Sequence, residues 1–468
     1  MLPKRIMDSS NSSLSRIVIE FESLGLKSKH NVQNYGAVHK TATAGDATHP
    51  QHHGKSPIRS VLWNMLNQII GTGIVGIPFI YKSTGIIGSI IIMLLFGAIS
   101  VYTFNLLIHC GKKLDVYNYE ELLEKSFGFK GYLISSFCIA ILNIGGMLTN
   151  LIIIGDATIK VTSIWGYHST FDRQMILLVC SICIVLPLCL FRDLSSLEKA
   201  GFVKIIAILV IIVVIFLEFF NSLTSEHAID FAQDITFSTT FSSIPSAIGV
   251  LAFSFVCHDS SFLLFNTLSN PTTARFFKLS FSGTFIAIFF TLCLSIPAYL
   301  TFGNSVDANI LNNYNIFNPL IISIRIIFVF TMTLTFPGSF FLVRHILYGW
   351  YIKLVAHYGH SSDSGNHSFT LFTVQTAPLS HHVMFTVGIF SAVVATSLFI
   401  DDVGVVMSVI GSVSSVNLAF VFPSLVYMKL LLKSDKMCVY RIMMRMIVPF
   451  CITVAGVMIA VYGVATSF

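Results

Sequence analysis

Residues 67–78 place conformationally permissive residues inside an otherwise apolar stretch, NQIIGTGIVGIP. Gly71, Gly73 and Gly76 allow a helix to unwind there, because glycine and proline suit a continuous helix least. Unwinding frees backbone N–H groups, which attract a carboxylate, and carbonyl oxygens, which attract a cation. We therefore predict a binding site at Gly71, Thr72, Gly73 and Gly76. The alternative use of such glycines is close packing between helices.

A second apolar stretch, residues 241–265, is also interrupted and reads FSSIPSAIGVLAFSFVCHDSSFLLF. Pro245 and Gly249 weaken its helix, and His258 and Asp259 place titratable groups in a hydrophobic run. The ordinary pKa of histidine, about 6.5, lies where a modest shift changes the charge, so His258 is a candidate proton carrier. In the alternative, Asp259 caps a helix and neutral His258 makes a structural hydrogen bond.

Side-chain oxygens near the two stretches are candidate ligands for a hard cation such as Na⁺. Asn67 lies one turn before the first break. The later motif TMTLTFP places Thr331, Thr333 and Thr335 at alternate positions, so that one or two hydroxyls can face a shared site. Alternatively, these threonines bond the backbone of their own helix.

The composition indicates that the elements carrying these residues lie in a lipid bilayer. Of 468 residues, 54% are hydrophobic and only 11% are charged, whereas soluble domains average about 25% charged residues. The net charge of +6 does not indicate nucleic-acid binding, because no basic stripe interleaved with aromatic residues is present. We predict an all-α polytopic membrane protein that does not bind nucleic acid.

Eleven stretches are apolar enough to span a bilayer, which takes about 20 residues. They are 58–80, 86–109, 132–154, 174–191, 202–220, 241–265, 280–302, 319–343, 382–400, 403–428 and 446–466. Cytoplasmic loops collect Lys and Arg. With a cytosolic N-terminus, 24 of the 28 Lys and Arg residues fall on the cytosolic side. The C-terminus is then lumenal or extracellular.

The predicted organisation has five parts. They are a disordered cytosolic tail (1–56), a first repeat of spans 1–5 (57–220), an acidic non-cytosolic loop (221–240), a second repeat of spans 6–10 (241–430), and a cytosolic loop with helix 11 (431–468). The sequence does not indicate which proteins the tail binds. Broken spans at matching positions of two halves are typical of a transporter built from inverted repeats. Such a protein works by alternating access, with spans 1 and 6 meeting at the substrate.

Four motifs in register resemble those of the amino acid/auxin permease family. They are LNQIIGTGIVGIP in span 1, FSFVCH at 253–258, PAYLTFGNSVDANILNNY at 297–314, and DDVGVVMSVIGSVSSVNLAFVFPSLVYMKL at 401–430. Within this family the chain is similar to the branch of sodium-coupled neutral amino acid transporters and fungal vacuolar amino acid transporters.

The resemblance implies two inverted five-helix repeats with discontinuous helices 1 and 6, plus an eleventh helix. It implies amino acid substrates, with Na⁺ or H⁺ as coupling ion and no other cofactor. It implies that the Gly71–Gly73 backbone binds the amino acid carboxylate and that Asn67 and Thr333 bind Na⁺. The span-6 motif adds three candidate substrate-binding residues, Phe253, Ser254 and Phe255.

The loop 221–240 lacks the cysteines and glycosylation sequons of animal plasma-membrane members, which favours the vacuole or another endomembrane over the plasma membrane. Two other functions remain open. An amino acid sensor with little transport needs the same pocket. The second alternative is a membrane-embedded enzyme that uses His258 and Asp259, although no HExxH or GxSxG motif supports it.

Overall fold

A computed structural model of the chain describes residues 54, 56–166, 170–191, 200–224, 235–237, 243–358, 379–433 and 439–467. Residues 1–53 and most of the loop 221–240 lie outside the described residues. The tail and the acidic loop therefore stay predictions.

The first half of the described chain forms seven α-helices. They are α1 (Ile58–Ile69), α2 (Ile77–Leu114), α3 (Tyr119–Phe127), α4 (Phe129–Thr162), α5 (Thr170–Cys180), α6 (Leu186–Cys189) and α7 (Ala200–Thr224). A 3-10 turn, Thr72–Gly76, joins α1 to α2, and a π-helical turn, Ser181–Val185, joins α5 to α6. The long α2 is interrupted at Gly85, where φ is 67° and ψ is 167°. Glycine adopts such a left-handed φ without the steric cost that other residues meet.

The second half forms eight α-helices. They are α8 (Ile244–Phe255), α9 (Ser261–Thr267), α10 (Thr273–Phe302), α11 (Pro319–Tyr358), α12 (Leu379–Phe399), α13 (Val403–Ile410), α14 (Phe422–Leu432) and α15 (Val439–Ala465). Two π-helical turns, Gly411–Ser415 and Asn417–Val421, connect α13 to α14.

In the described part of the chain, nine helices are long and apolar enough to cross a membrane. They coincide with predicted spans 2 to 5 and 7 to 11. The two remaining predicted spans, 58–80 and 241–265, are divided into short helical segments at the breaks that the sequence indicates. The prediction of an all-α polytopic membrane protein is confirmed.

Large apolar side chains lie on both the inside and the outside of the bundle. Tyr81, Phe104 and Phe336 are fully buried, whereas Phe289 is 62% exposed and Val461 is also 62% exposed. In water such exposed groups would be costly, whereas lipid tails solvate them well. The outer surface therefore suits a bilayer.

Two features near the predicted cytosolic side differ from the sequence-based expectation. The loop predicted between spans 2 and 3 contains the helix α3, whose start is fixed by Asn118, since the Glu120 amide donates to the Asn118 side-chain oxygen at 3.0 Å. In addition, Gly54 and Ser56 form bridges with Ser269 and Leu268, so ordered structure begins before the predicted boundary at residue 57.

Candidate functional site

The first break exposes backbone donors. Helix α1 ends at Ile69, and Gly71 is extended, with φ −119° and ψ −156°. Within the described chain, the amides of Gly71, Thr72 and Gly73 donate to no hydrogen-bond acceptor. Free N–H groups at the start of a helical segment carry positive partial charge, so they can bind an anion such as a carboxylate.

The second break exposes backbone acceptors. Helix α8 ends at Phe255, Val256 is extended with φ −71° and ψ 128°, and the helix resumes at Ser261. The carbonyls of Phe253, Ser254 and Phe255 accept no hydrogen bond from the described residues. The last carbonyls of a helix carry negative partial charge, which suits an ammonium group.

The two breaks are in direct contact through Gly73 and Ser254. A Cβ atom added at Gly73 would lie 2.7 Å from the Ser254 Cα and closer still to its Oγ. Both residues are buried. Since only glycine fits at this point, the break with the free amides lies directly against the break with the free carbonyls.

The other glycines of the first motif differ in their surroundings. A Cβ at Gly76 would lie 2.7 Å from the Met407 Sδ, so Gly76 allows the 3-10 turn to pack on α13. At Gly71 the nearest atoms are the Lys204 Nζ at 3.8 Å and the Gln68 oxygen at 4.0 Å, both at ordinary contact distance. A methyl group therefore fits at Gly71 without displacing a neighbour.

This difference predicts opposite stability effects for two matched substitutions. Gly71→Ala should leave the midpoint of thermal unfolding unchanged or raise it, since alanine in an unstrained position adds about 0.4–1 kcal/mol. Gly73→Ala should lower the free energy of unfolding by about 1–3 kcal/mol, because the methyl group meets the Ser254 backbone. Thermal unfolding of both variants in detergent checks this. Equal midpoints would contradict the contact between the breaks.

The predicted cation ligand Asn67 lies against α7 and is contacted by a lysine. The Lys204 Nζ donates to the Asn67 backbone oxygen at 2.7 Å. The Asn67 Oδ1 is buried without a hydrogen-bond partner, and a Cβ at Gly201 would meet the Asn67 side-chain amide. Sequence reasoning assigned Lys204 only to the basic cytosolic flank and missed its contact. A lone lysine within the predicted span 202–220 was the available signal.

The threonines of span 8 bond their own helix. The Thr331 Oγ1 donates to the Phe328 oxygen at 2.8 Å, and the Thr333 Oγ1 donates to the Val329 oxygen at 2.8 Å. No hydrogen bond among the described residues joins either threonine to Asn67. The two hydroxyls therefore bond the backbone of their own helix, as the alternative interpretation expects. Cation binding by Thr331 and Thr333 stays a prediction.

His258 lies at the second break in an apolar environment. Its ring is fully buried and stacks on Phe104, with centroids 3.8 Å apart and planes 5° apart. The His258 Nε2 lies 3.1 Å from the Thr103 Oγ1. No described carboxylate forms an ion pair with this ring. The geometry supports the structural alternative, and proton transfer through His258 stays a prediction.

Two buried arginines outside the breaks tie elements together. Arg325 of α11 donates from Nη2 to the carbonyls of Leu311 at 2.7 Å and Tyr314 at 3.0 Å. Arg344 donates to the Cys189 oxygen at 2.9 Å and to the Thr386 Oγ1 at 3.0 Å. Arg325 therefore holds the loop between α10 and α11, and Arg344 joins α6, α11 and α12.

Sequence reasoning also missed an ion-pair cluster that joins three parts of the bundle. Arg173 of α5 donates from Nε to the Asp156 Oδ1 of α4 at 3.0 Å and from Nη1 to the Asp401 Oδ1 at 2.7 Å. The Asn312 Nδ2 approaches the other Asp156 oxygen at 3.4 Å. Because the partners are 17 and 228 residues apart, no local motif reveals the cluster.

The fold defines a polytopic membrane protein in which two interrupted helices meet and carry free backbone groups at their breaks. The chain belongs to the transmembrane amino acid transporter protein family, whose sequence profile matches residues 54–468. The resemblance inferred from the four motifs is confirmed. The relatives of this family are named as transporters, and the protein is not an enzyme.

Individual relatives agree with this assignment, and a solved structure has a similar fold. The "Putative sodium-coupled neutral amino acid transporter 11" of Mus musculus is 27% identical over 390 residues, which cover 81% of this chain and 79% of the relative. "Vacuolar amino acid transporter 2" of Saccharomyces cerevisiae is 25% identical over 393 residues, covering 82% and 78%. The structure of MhsT in complex with L-phenylalanine matches 89% of this chain and 98% of that chain, with a TM-score of 0.51 and 12% identity. This last likeness concerns the fold alone.

Proposed function

We propose that the protein is a secondary active transporter that moves neutral amino acids across a membrane by alternating access, coupled to Na⁺ or H⁺. The observation that carries the proposal is the contact between Gly73 and Ser254, which brings two interrupted helices together. In transporters with broken helices, the substrate lies where the half-helix ends meet.

The free peptide groups at this contact complement an amino acid zwitterion. The amides of Gly71, Thr72 and Gly73 can donate to a carboxylate, and the carbonyls of Phe253 and its two successors can accept from an ammonium group. The side chains of Phe253 and Phe255 are buried and apolar, and Phe255 packs on Phe96 with ring centroids 6.2 Å apart. Apolar surroundings favour an uncharged substrate side chain, since an unpaired charge there is costly.

The proposed mechanism includes eleven spans, of which ten form two inverted repeats of five and one is an additional helix. Interruption of α2 at Gly85 supports two spans between Thr72 and Leu114, and α8 with α9 supports a divided sixth span. Spans 1, 2, 6 and 7 would move against spans 3, 4, 5, 8, 9 and 10 around the site. The N-terminus would be cytosolic and the C-terminus lumenal or extracellular.

We further propose a vacuolar or other endomembrane location. One relative, from Saccharomyces cerevisiae, is named as vacuolar. The absence of cysteines and sequons from the sequence 221–240 supports the same location. Fluorescence microscopy of the tagged full chain, expressed in its native cell type, tests this location, and labelling confined to the plasma membrane would contradict it.

Uptake by purified protein in liposomes tests the function. We expect accumulation of at least one ¹⁴C-labelled L-amino acid, from a panel of the twenty common ones, above that in protein-free liposomes when a Na⁺ or H⁺ gradient is imposed. Accumulation should collapse when the gradient is dissipated, because secondary transport depends on it. Saturable binding of an amino acid without uptake under any gradient would instead support the sensor.

A further inference from the structure

A lysine amine lies where the sequence predicts a sodium site. Lys204 lies one turn into α7 and is buried, with 8% of its surface exposed. Its Nζ donates to the Asn67 carbonyl at the first break. In an intact helix that carbonyl would accept from the Gly71 amide four residues later. The amine thus bonds a backbone oxygen that unwinding has freed for a cation.

No carboxylate in the described residues neutralises this amine. Helix α7 packs most closely against α10, α11 and α1. The charged and histidine side chains described on these four helices, besides Lys204 itself, are Arg59, Glu218, Arg275, Lys278, Arg325, Arg344 and His345. The one carboxylate among them, Glu218, is 14 residues further along α7, about 21 Å by the helical rise, and accepts from the Asn318 Nδ2 at 2.8 Å. Lys204 therefore contributes an unneutralised positive group at the break.

No hydrogen bond among the described residues links the predicted sodium ligands Asn67, Thr331 and Thr333 to one another. Na⁺ needs several oxygen ligands at once. The Asn67 carbonyl is engaged by Lys204, and the Asn67 side chain is held against Gly201. Thr331 and Thr333 donate their hydroxyl hydrogens to carbonyl oxygens of their own helix, so both hydroxyls are held by α11. A second cation beside the amine would also be repelled by it.

We propose that the Lys204 ammonium replaces a bound sodium ion, so that the Asn67 carbonyl is held by a built-in cation and transport is independent of Na⁺. This inference rests on the proposed function. Of the two coupling ions that the sequence leaves open, it excludes Na⁺. A permanent side chain cannot dissociate as Na⁺ does, so the geometry at the break is maintained without any ion from solution.

The test compares NaCl with choline chloride at equal concentration on both sides of the membrane, with a proton gradient imposed. The probe is an equimolar mixture of ¹⁴C-labelled neutral L-amino acids, and the wild type is reconstituted beside Lys204→Met, Lys204→Arg and Lys278→Met. The Lys278 side chain is exposed on α10 and forms no hydrogen bond or ion pair with the described residues, while its backbone oxygen accepts from the Ser282 Oγ at 2.7 Å. Lys278→Met is therefore the matched control. The midpoint of thermal unfolding in the two salts is a second measurement, because a specifically bound ion stabilises the folded protein.

We expect wild-type uptake and the wild-type unfolding midpoint to be the same in the two salts. Lys204→Met should lose uptake, Lys204→Arg should retain part of it because the positive group remains, and Lys278→Met should match the wild type. The wild-type comparison holds even where a variant does not fold. Stimulation of wild-type uptake by Na⁺, a higher midpoint in NaCl, or full uptake by Lys204→Met would overturn the inference and leave the proposed function standing. No uptake by the wild type in any gradient would overturn the proposed function, and the inference with it.

Discussion

Replacement of Gly73 by leucine is expected to abolish amino acid uptake. The first Cβ atom would already lie 2.7 Å from the Ser254 Cα, and the rest of the leucine side chain has to enter the contact between the breaks. Overpacking of this kind costs about 1–3 kcal/mol and displaces backbone. In the proposed function the free amides and carbonyls of the two breaks bind one substrate together, so separating them should remove binding. Uptake of the labelled amino acid mixture into liposomes measures the effect.

Gly388→Leu is the matched control for this variant. Gly388 lies on α12, and a Cβ atom added there meets no other atom within 4 Å. Replacement of this glycine by leucine makes the same change in side-chain size and helix propensity, and it should leave uptake near the wild-type value. Wild-type uptake by Gly73→Leu would show that the contact between the breaks is not part of the substrate site.

Replacement of Arg173 by methionine is expected to destabilise the fold more than any other single change considered. The side chains of Arg173 and Asp156 are 10% and 14% exposed, so removal of the guanidinium leaves a buried carboxylate without its cation. Breaking a buried pair in this way costs about 3–5 kcal/mol. The loss should appear as a lower midpoint of thermal unfolding in detergent.

Two further variants separate the buried pair from its exposed neighbour. The Asp401 side chain is 65% exposed, so Asp401→Asn should change the free energy of unfolding by only about 0–1 kcal/mol. The double variant Arg173→Met, Asp156→Leu removes both charges and should recover much of the loss, because an apolar pair carries no desolvation penalty. The single variant Asp156→Leu completes the comparison. If the double variant loses as much stability as Arg173→Met and Asp156→Leu lose together, the broken ion pair is not the cause of the destabilisation.

The general architecture and the two breaks follow from the sequence because lipid imposes strong rules. Apolar length defines spans, and glycine with proline marks where a helix can unwind, so 58–80 and 241–265 are recognisable without coordinates. Weaker local signals are harder to use. The capping residue Asn118 and the acidic residues Glu120 and Glu121 after it indicate the start of α3 only in retrospect, because a short polar segment between spans also suits a loop.

The site is only partly predictable because its decisive contacts join distant residues. Gly73 and Ser254 each belong to a motif, yet neither motif says that the two touch. Lys204 is a second example. The rule that cytoplasmic loops collect Lys and Arg assigns it to the cytosolic side. In the structure it lies inside α7, and its hydrogen-bond partner Asn67 is 137 residues away in the sequence. The π-helical turns Gly411–Ser415 and Asn417–Val421 after α13 were also not predicted, because such turns are single-turn departures within an otherwise α-helical run.

The central claim is that the two interrupted helices meet and bind an amino acid through their free peptide groups. An electron cryomicroscopy map of the full chain in a lipid nanodisc, with the amino acid that is taken up fastest, measures this directly. We predict the substrate carboxylate within hydrogen-bond distance of the amides at Gly71–Gly73 and its ammonium near the carbonyls of Phe253–Phe255. A continuous, fully hydrogen-bonded helix through Thr72 that faces lipid, or a substrate bound away from both breaks, would contradict it.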